Sequence, residues 1–426
     1  MELVQSDPVL EAFEKLKVRE IRAKGGQTAA DFLAEFQSTA ASLEPNERIE
    51  LEVTAAHENM ESLKAVLSDP QANKICSLQW DYSGKRDVNT VLPLLINNCP
   101  ELASLQVFLK HRSTFDFVSS LLEHPSNKVK VLEMPSCIKG DIPRFFAALG
   151  QSQVSALTLS IGESPEVAQG LFEYLAKDLL VRLNVRVGNE QILLEMMTLL
   201  VNCTRLAKLE MSQCELSQST AFNYFPKSVT KLGLDRCQFV GGFDWSFLAD
   251  SNVRELDLFW VSGVDGDQLG DALAVHLRAK GLDKLRFYDC DFADETLSVV
   301  GVEVGRIKRL DLEESDLSDA SLEQIATALK SPNNEMKELV LWYDDDTESS
   351  IETHLVPALK HPDCNLVKLS LPAHPGLIEA AVRVEDMFHN RLALFVLLQG
   401  RQVRRLYCPL RRLPVEMLRL VGKMLI

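Results

Sequence analysis

The chain has 426 residues, is 46% hydrophobic and 25% charged, and carries a formal net charge of −16. This composition excludes a disordered chain, and the acidic balance excludes a general nucleic-acid binder, which needs a basic footprint. No apolar run reaches the roughly 18–20 residues that span a bilayer, and MELVQSDPVLEAFEKLK lacks the basic-then-apolar order of a signal peptide. Nine cysteines, an odd number with no C-x-x-C pair, point to reduced, buried thiols and a cytoplasmic setting rather than a disulfide framework or a zinc site.

In chain order, residues 1–47 hold no leucine frame and read as a helical cap. SDPVLEAFEKLKVREIRA has a capping residue at Ser6 or Asp7 and Pro8 in its first turn. Gly25-Gly26 breaks it. TAADFLAEFQSTAASL predicts a second helix that stops before Pro45. A repeat array needs its first apolar face covered, and a cap does this.

From Arg48 a frame of the form apolar-x-x-Leu-x-apolar takes over. It starts at Arg48, Ile75, Leu102, Val129, Val154, Leu180, Leu206, Val229, Val253, Leu282, Ile307, Met336 and Leu366, in steps of 23 to 30 residues. The fourth position is leucine in all thirteen frames, from Leu51 to Leu369, and the sixth is apolar throughout. Between frames lie amphipathic stretches such as QILLEMMTLLVN, DQLGDALAVHLRAKG, ASLEQIATALKSP and IETHLVPALKHP. A short strand and a helix repeating at this period predict a solenoid. No unit buries its own apolar face, so stacking yields a parallel concave sheet with helices on the convex side. AFNYFPKS and FVGGFDWSFLADSN are too short or too interrupted for full helices, and 3₁₀ turns or loops are expected there. The array covers residues 48–372.

Residues 373–426 read as a basic, mostly helical C-terminal cap. LPAHPGLIEAAVRVEDMFHNRLALFVLLQG predicts one or two helices from near Pro375. RQVRRLYC resembles a last strand at Val403 and Leu406, and LPVEMLRLVGKML a final helix. From Asp386 to Ile426, eight basic residues stand against two acidic ones.

The extended frame, L-x-x-L-x-L-x-x-N/C, resembles the leucine-rich repeat family in its ribonuclease-inhibitor-like subclass, over about Arg48 to Leu371. The resemblance implies an α/β leucine-rich repeat solenoid, a horseshoe with helical caps at both ends, and a generic role in protein recognition. It also implies a ninth-position side chain that bonds backbone in the turn after the strand. Cys137, Cys214, Cys237 and Cys290 stand there; Ser315 and Val261 depart from the pattern. Cys99, Cys203 and Cys364 fall just before a frame, where a small buried residue suits. RRLPVEMLRLVGKML is similar to the start of F-box-type ubiquitin-ligase adaptor motifs, and it also suits a cap helix with Pro414 in its first turn.

The sequence holds no G-x-x-x-x-G-K-[ST], H-E-x-x-H or G-x-S-x-G, so no enzyme, cofactor or metal is expected. His354 and His361 lack a third ligand, and Asp344-Asp345-Asp346 lacks the spaced oxygens and glycine of a calcium loop. Strand side chains alternate, which sends positions three, five, seven and eight to the concave face or its rim. In the first half these are mild: Ser77, Gln79, Ser104, Gln106 and Thr158, then Arg182, Asn184 and Arg186 as one basic strand. From Val253 the face turns aromatic and acidic, with Asp257, Phe259, Trp260, Arg286, Tyr288, Asp289, Asp311, Glu313, Glu314, Val340, Trp342 and Tyr343. Asp344 to Asp346 extend the rim. Rigid aromatic anchors beside carboxylates suit a partner protein with a basic surface. Charge reversal of Asp311, Glu313 and Glu314 is expected to weaken that binding without unfolding. The expectation is a monomeric scaffold that binds protein, not nucleic acid or membrane. Two alternatives stay open: a ubiquitin-ligase substrate adaptor using the C-terminal L-P helix, and a regulator of an enzyme such as a ribonuclease or small GTPase.

Overall fold

All thirteen fourth-position leucines are buried, none more than 4% exposed. Within each of the two units described below, parallel pairing sets these leucines side by side along the strands. The computed structural model describes residues 17–23, 27–44, 47–53, 58–82, 88–109, 112–137, 140–217, 222, 225–241, 243–315, 317–341, 351–359, 361, 363–370 and 395–396. They fall into two units, one of Met1–Cys214 with Thr220–Val229, the other of Glu215–Ser219 with Thr230–Ile426. Each is an α/β solenoid of leucine-rich repeats.

In the first unit, β1 (Lys17–Arg22), β2 (Glu47–Val53), β3 (Ile75–Tyr82), β4 (Ser104–Leu109), β5 (Val131–Cys137), β6 (Ala156–Gly162), β7 (Arg182–Val187) and β8 (Lys208–Ser212) pair in parallel in chain order. Helices alternate with them: α1 (Ala29–Ala41), α2 (Glu58–Leu67), α3 (Val88–Asn98), α4 (Arg112–Glu123), α5 (Ile142–Leu149), α6 (Pro165–Leu175) and α7 (Glu190–Leu200). Side chains of Thr28, Asp141, Ser164 and Asn189 cap the starts of α1, α5, α6 and α7. Asn189, for example, accepts from the amides of Gln191 and Ile192 at 2.9 and 3.2 Å. The helix expected over TAADFLAEFQSTAASL is α1, which buries Phe32, Phe36 and Ala40 along one stripe.

One expectation fails at the start. Residues 17–22, read as the end of a helix, form β1. Val18 pairs with Arg48 and Ile21 with Leu51, so Val18, Ile21 and Ala23 are the first, fourth and sixth positions of one more frame. Ile21 and Ala23 are buried. Among the described residues the ladder therefore begins one strand ahead of Arg48, and local helix propensity gives way to the edge of β2.

In the second unit, β10 (Lys231–Asp235) follows β9 (Glu215–Leu216) and precedes β11 (Gln238–Phe239). The main sheet continues as β12 (Glu255–Phe259), β13 (Leu282–Tyr288), β14 (Ile307–Glu313), β15 (Glu338–Leu341), β16 (Lys368–Ser370) and β17 (Phe395–Val396), all parallel. Leu232, Leu256, Leu285, Leu310, Leu339 and Leu369 align across it. Between the strands lie α8 (Phe247–Asp250), α9 (Gly266–Lys280), α10 (Ala293–Val300), α11 (Asp319–Leu329) and α12 (Val356–Leu359). As expected, the short repeat after β10 has no full helix. It has the four-residue α8, a small parallel sheet of β9 and β11, and four buried rings, Phe239, Phe243, Trp245 and Phe247. The first three of these have centroids 4.7 to 5.1 Å apart. β17 lies in a stretch read as helical; the strand expected at Val403 and Leu406 and the final L-P helix lie outside the described residues.

After the strands comes one recurring turn. Gln213 in the first unit, and Arg236, Trp260, Asp289 and Glu314 in the second, all have φ between 49° and 54°. Each is the eighth position of its frame. The ninth side chain then folds back onto the seventh-position carbonyl: Cys214 to Ser212 at 3.4 Å, Cys237 to Asp235 at 3.6 Å, and Cys290 to Tyr288 at 3.4 Å. Ser315, a departure from the pattern by residue type, does the same to Glu313 at 3.4 Å. The seven described cysteines are free and buried. Burial pushes the thiols up, to about 11 for Cys76, Cys203 and Cys290 and about 12 for Cys99, which removes them from thiolate chemistry. The Cys137 side chain lies outside what is described.

Candidate protein-binding face

One face of each sheet packs on helices and the other is open. Two rows of side chains cross the open face of the second unit. The third positions are Lys231, Glu255, Lys284, Arg309, Glu338 and Lys368, and register sets each beside the next. The fifth positions are Gly233, Asp257, Arg286, Asp311, Val340 and Ser370. Opposite charges meet across and between the rows. Asp257 lies 2.7 Å from the Lys284 ammonium and 3.5 Å from that of Lys231, and Lys231 also reaches Glu255 at 2.7 Å. Asp311 accepts from Arg286 at 2.8 Å and Arg309 at 3.3 Å. Arg309 continues to Glu338 at 3.2 Å.

This pairing changes the role of two expected contact residues. Asp257 is 6% exposed and Asp311 is 0% exposed. Both carboxylates are held by cations of the sheet itself, so they stabilise register and present no charge to a partner. Reversing Asp311 would set a cation between two arginines, a test of folding rather than of binding. Glu313 is half-buried, 3.8 Å from Arg286. Burial, and then the neighbouring Asp311, raise its pKa.

The aromatic residues come together at the strand ends. Phe259 pairs in register with Tyr288 and lies 6.0 Å from it between ring centroids, with the Arg286 guanidinium 5.3 Å above the Phe259 ring. Trp260 stands edge-on to Tyr288 at 5.0 Å and 72°, and Arg236 lies 4.6 Å over its ring. The nearby Glu314 carboxylate raises the pKa of the Tyr288 phenol. Trp260 remains 41% exposed; Arg236, Asp289 and Glu314 are exposed beside it.

Two comparisons with known proteins gave nothing: no protein-family model matches the chain, and no curated protein is similar to it in sequence. Among solved structures it is similar to a plant peptide hormone receptor, RGFR1, in complex with RGF2. The two are 12% identical with a TM-score of 0.28, over 70% of this chain and 55% of that chain. The match therefore spans little more than half of the receptor chain.

Arg236 is a member of this exposed cluster that reading from Val253 onward omits. It belongs to the preceding frame, and its signal was its rank: it is an eighth-position residue, as Trp260 is. Trp342, Tyr343 and Asp344 to Asp346 lie outside the described residues. Among the described residues, no three or more His, Cys, Asp or Glu side chains come together as a metal-binding group, and no helix is long and apolar enough to cross a membrane.

The first unit presents a milder open face. Its third positions include Ser104, Val131, Ala156, Arg182 and Lys208, and its fifth positions Gln106, Glu133, Thr158, Asn184 and Glu210. Lys208 and Glu210 pair at 2.6 Å.

Proposed function

We propose that this chain is a non-enzymatic scaffold that binds a partner protein on the open face of its sheet, with Trp260 as the central anchor. The observation that carries this reading is an exposed tryptophan braced on two sides, by the Arg236 guanidinium and the Tyr288 ring. The ring remains in water, so its burial does not drive folding. Its rotamer is already restricted, so less side-chain entropy is lost when a partner covers it. Tryptophan, tyrosine and arginine are the residues that dominate binding hot spots. Exposed Asp289 and Glu314 flank the ring and favour a partner with basic groups around an apolar pocket. The free, buried cysteines support a reducing, cytoplasmic setting.

A photo-crosslinking amino acid placed at Asp289, exposed beside Trp260, and separately at Val275 on α9, tests the face. Val275 is 49% exposed and serves as the control on the helical side. In extract from the native cell, the Asp289 position is expected to trap one protein that the Val275 position does not. Crosslinking of the same protein only from Val275 would count against the open face.

A further inference from the structure

His276 of α9 is 1% exposed, and both of its ring nitrogens meet backbone carbonyls. Nδ1 lies 2.7 Å from the Leu248 oxygen and Nε2 2.9 Å from the Val253 oxygen. The ring thereby ties both ends of residues 248–253, which lead from the four-residue α8 into β12, to the helix of the next repeat. Carbonyls only accept, and a neutral imidazole carries one N–H, so the neutral ring donates to one of the two. The ionised groups acting on the ring are cations, Lys280 and Arg254. The Lys280 ammonium donates to the Ser251 carbonyl, and the Arg254 guanidinium to the Lys280 carbonyl. Among the described residues no carboxylate pairs with the ring. Asp267 and Asp271 of α9 and Asp250 of α8 are exposed. On the other elements packed against α9, each carboxylate has its own partner: Glu255 pairs with Lys231, Glu295 accepts from the Gly266 amide, Asp294 accepts from Ser318, and Glu303 pairs with Arg278 and Arg306. Burial lowers the imidazole pKa from its ordinary 6.5; the two carbonyls act to raise it, and Lys280 and Arg254 to lower it further.

We propose that His276 is an acid-operated latch: as a neutral ring it ties residues 248–253 to α9, and proton uptake releases them. Protonation in place sets a third cation beside Lys280 and Arg254 in a buried site that offers it carbonyls and no carboxylate. Displacing residues 248–253 hydrates that charge. This segment yields before the fifteen-residue α9 does, because α8 has only four residues and few local bonds to lose. The Leu248 carbonyl keeps partners when the ring leaves, since it also accepts from the Ser251 amide at 3.0 Å and the Ser251 hydroxyl at 2.8 Å. The sign follows from linkage. The freed ring takes its proton at the ordinary 6.5 and the buried ring only below it. The stability that the neutral ring contributes is therefore complete above pH 6.5 and is lost as pH falls below it. The latch sits at the root of β12, the strand that ends in Phe259, and it does not depend on what the open face binds.

Hydrogen exchange of the full chain, read by mass spectrometry on peptides and corrected for the intrinsic pH dependence of amide exchange, tests the latch. Between about pH 7.5 and about pH 5.5, the opening constant of residues 248–254 is expected to rise at least about threefold, one proton allowing at most about tenfold per pH unit. Peptides from β14 should not follow. In His276→Gln, which keeps an amide donor and cannot titrate, the rise should vanish. An unchanged or falling opening constant, an equal rise in β14, or the same rise in His276→Gln would overturn the proposal. If His276→Gln fails to fold, a titration of the buried ring in the unaltered chain by nitrogen NMR decides it. The midpoint is expected below 6.5 with one nitrogen unprotonated at neutral pH; a midpoint at or above 6.5, or a ring already protonated on both nitrogens at neutral pH, would sink it.

Discussion

The eighth residue of each frame decides what the strand ends display. A left-handed conformation costs an L-residue roughly 1–2 kcal/mol, yet Arg236, Trp260, Asp289 and Glu314 all adopt it. Hydrogen bonding offsets the strain. The eighth-position amides still donate to the next strand, Arg236 to Phe259 at 2.7 Å, Trp260 to Tyr288 at 2.9 Å and Asp289 to Glu313 at 3.1 Å, and a ninth-position thiol or hydroxyl closes three of the four turns. The functional consequence is that the eighth side chain stays outside the sheet, which is why Trp260 is exposed. Asp289→Gly is expected to keep stability within about 0.5 kcal/mol of the parent, since glycine adopts this turn freely. Asp289→Val should lower it by about 1–2 kcal/mol, because a β-branched side chain is an outlier there. Urea unfolding of the pair checks this, and equal stabilities would contradict it. None of these turns was legible from residue type: Gln, Arg, Trp, Asp and Glu share no left-handed preference, and only the cysteine after them marked the place.

Among the elements, helix packing between successive repeats sets tighter limits than helix propensity. Gly270, inside α9, faces α10, where an added methyl would come within 2.6 Å of the Val299 Cβ and 2.9 Å of the Thr296 carbonyl. Alanine gains about 1 kcal/mol over glycine in a helix interior, whereas overpacking costs about 1–3 kcal/mol. Because part of the clash is with backbone, packing wins. Gly270→Ala is expected to lower the unfolding free energy by about 1 kcal/mol, read from a shift in the urea midpoint; an increase would show that α10 yields. Elements with leucine at the fourth position and a polar–apolar period after it were legible, which covers α7, α9 and α11 almost to the residue. β1 was hidden because Val18, Ile21 and Ala23 carry the frame without a leucine, and its identity is set by pairing with β2. The aromatic repeat was legible as lacking a helix. That Phe239, Phe243 and Trp245 would pack as one cluster was not, since their contacts depend on tertiary placement.

Over the molecule, a formal charge of −16 suggests an acidic recognition face, and pairing within the second unit shows where that inference stops. The third- and fifth-position rows mix the two signs, so Asp257 and Asp311 are held by cations of the sheet while Asp289 and Glu314 stay exposed on the turns. The rows could have been read by stacking the frames on their leucines; the burial of Asp311 under two arginines could not. Asp311→Ala, which strands Arg286 and Arg309, is expected to cost about 3–5 kcal/mol. Glu314→Lys, on the exposed turn, should change stability by about 0.5 kcal/mol or less. Thermal unfolding separates them, and similar losses would refute the division into structural and recognition acids. The braced indole of Trp260 is the proposed anchor. Isothermal titration calorimetry of the purified crosslinked partner against the unaltered chain and Trp260→Ala measures it most directly. We predict a loss of at least about 2 kcal/mol, roughly thirtyfold in affinity, with the melting temperature unchanged; equal affinity for the two chains would contradict it.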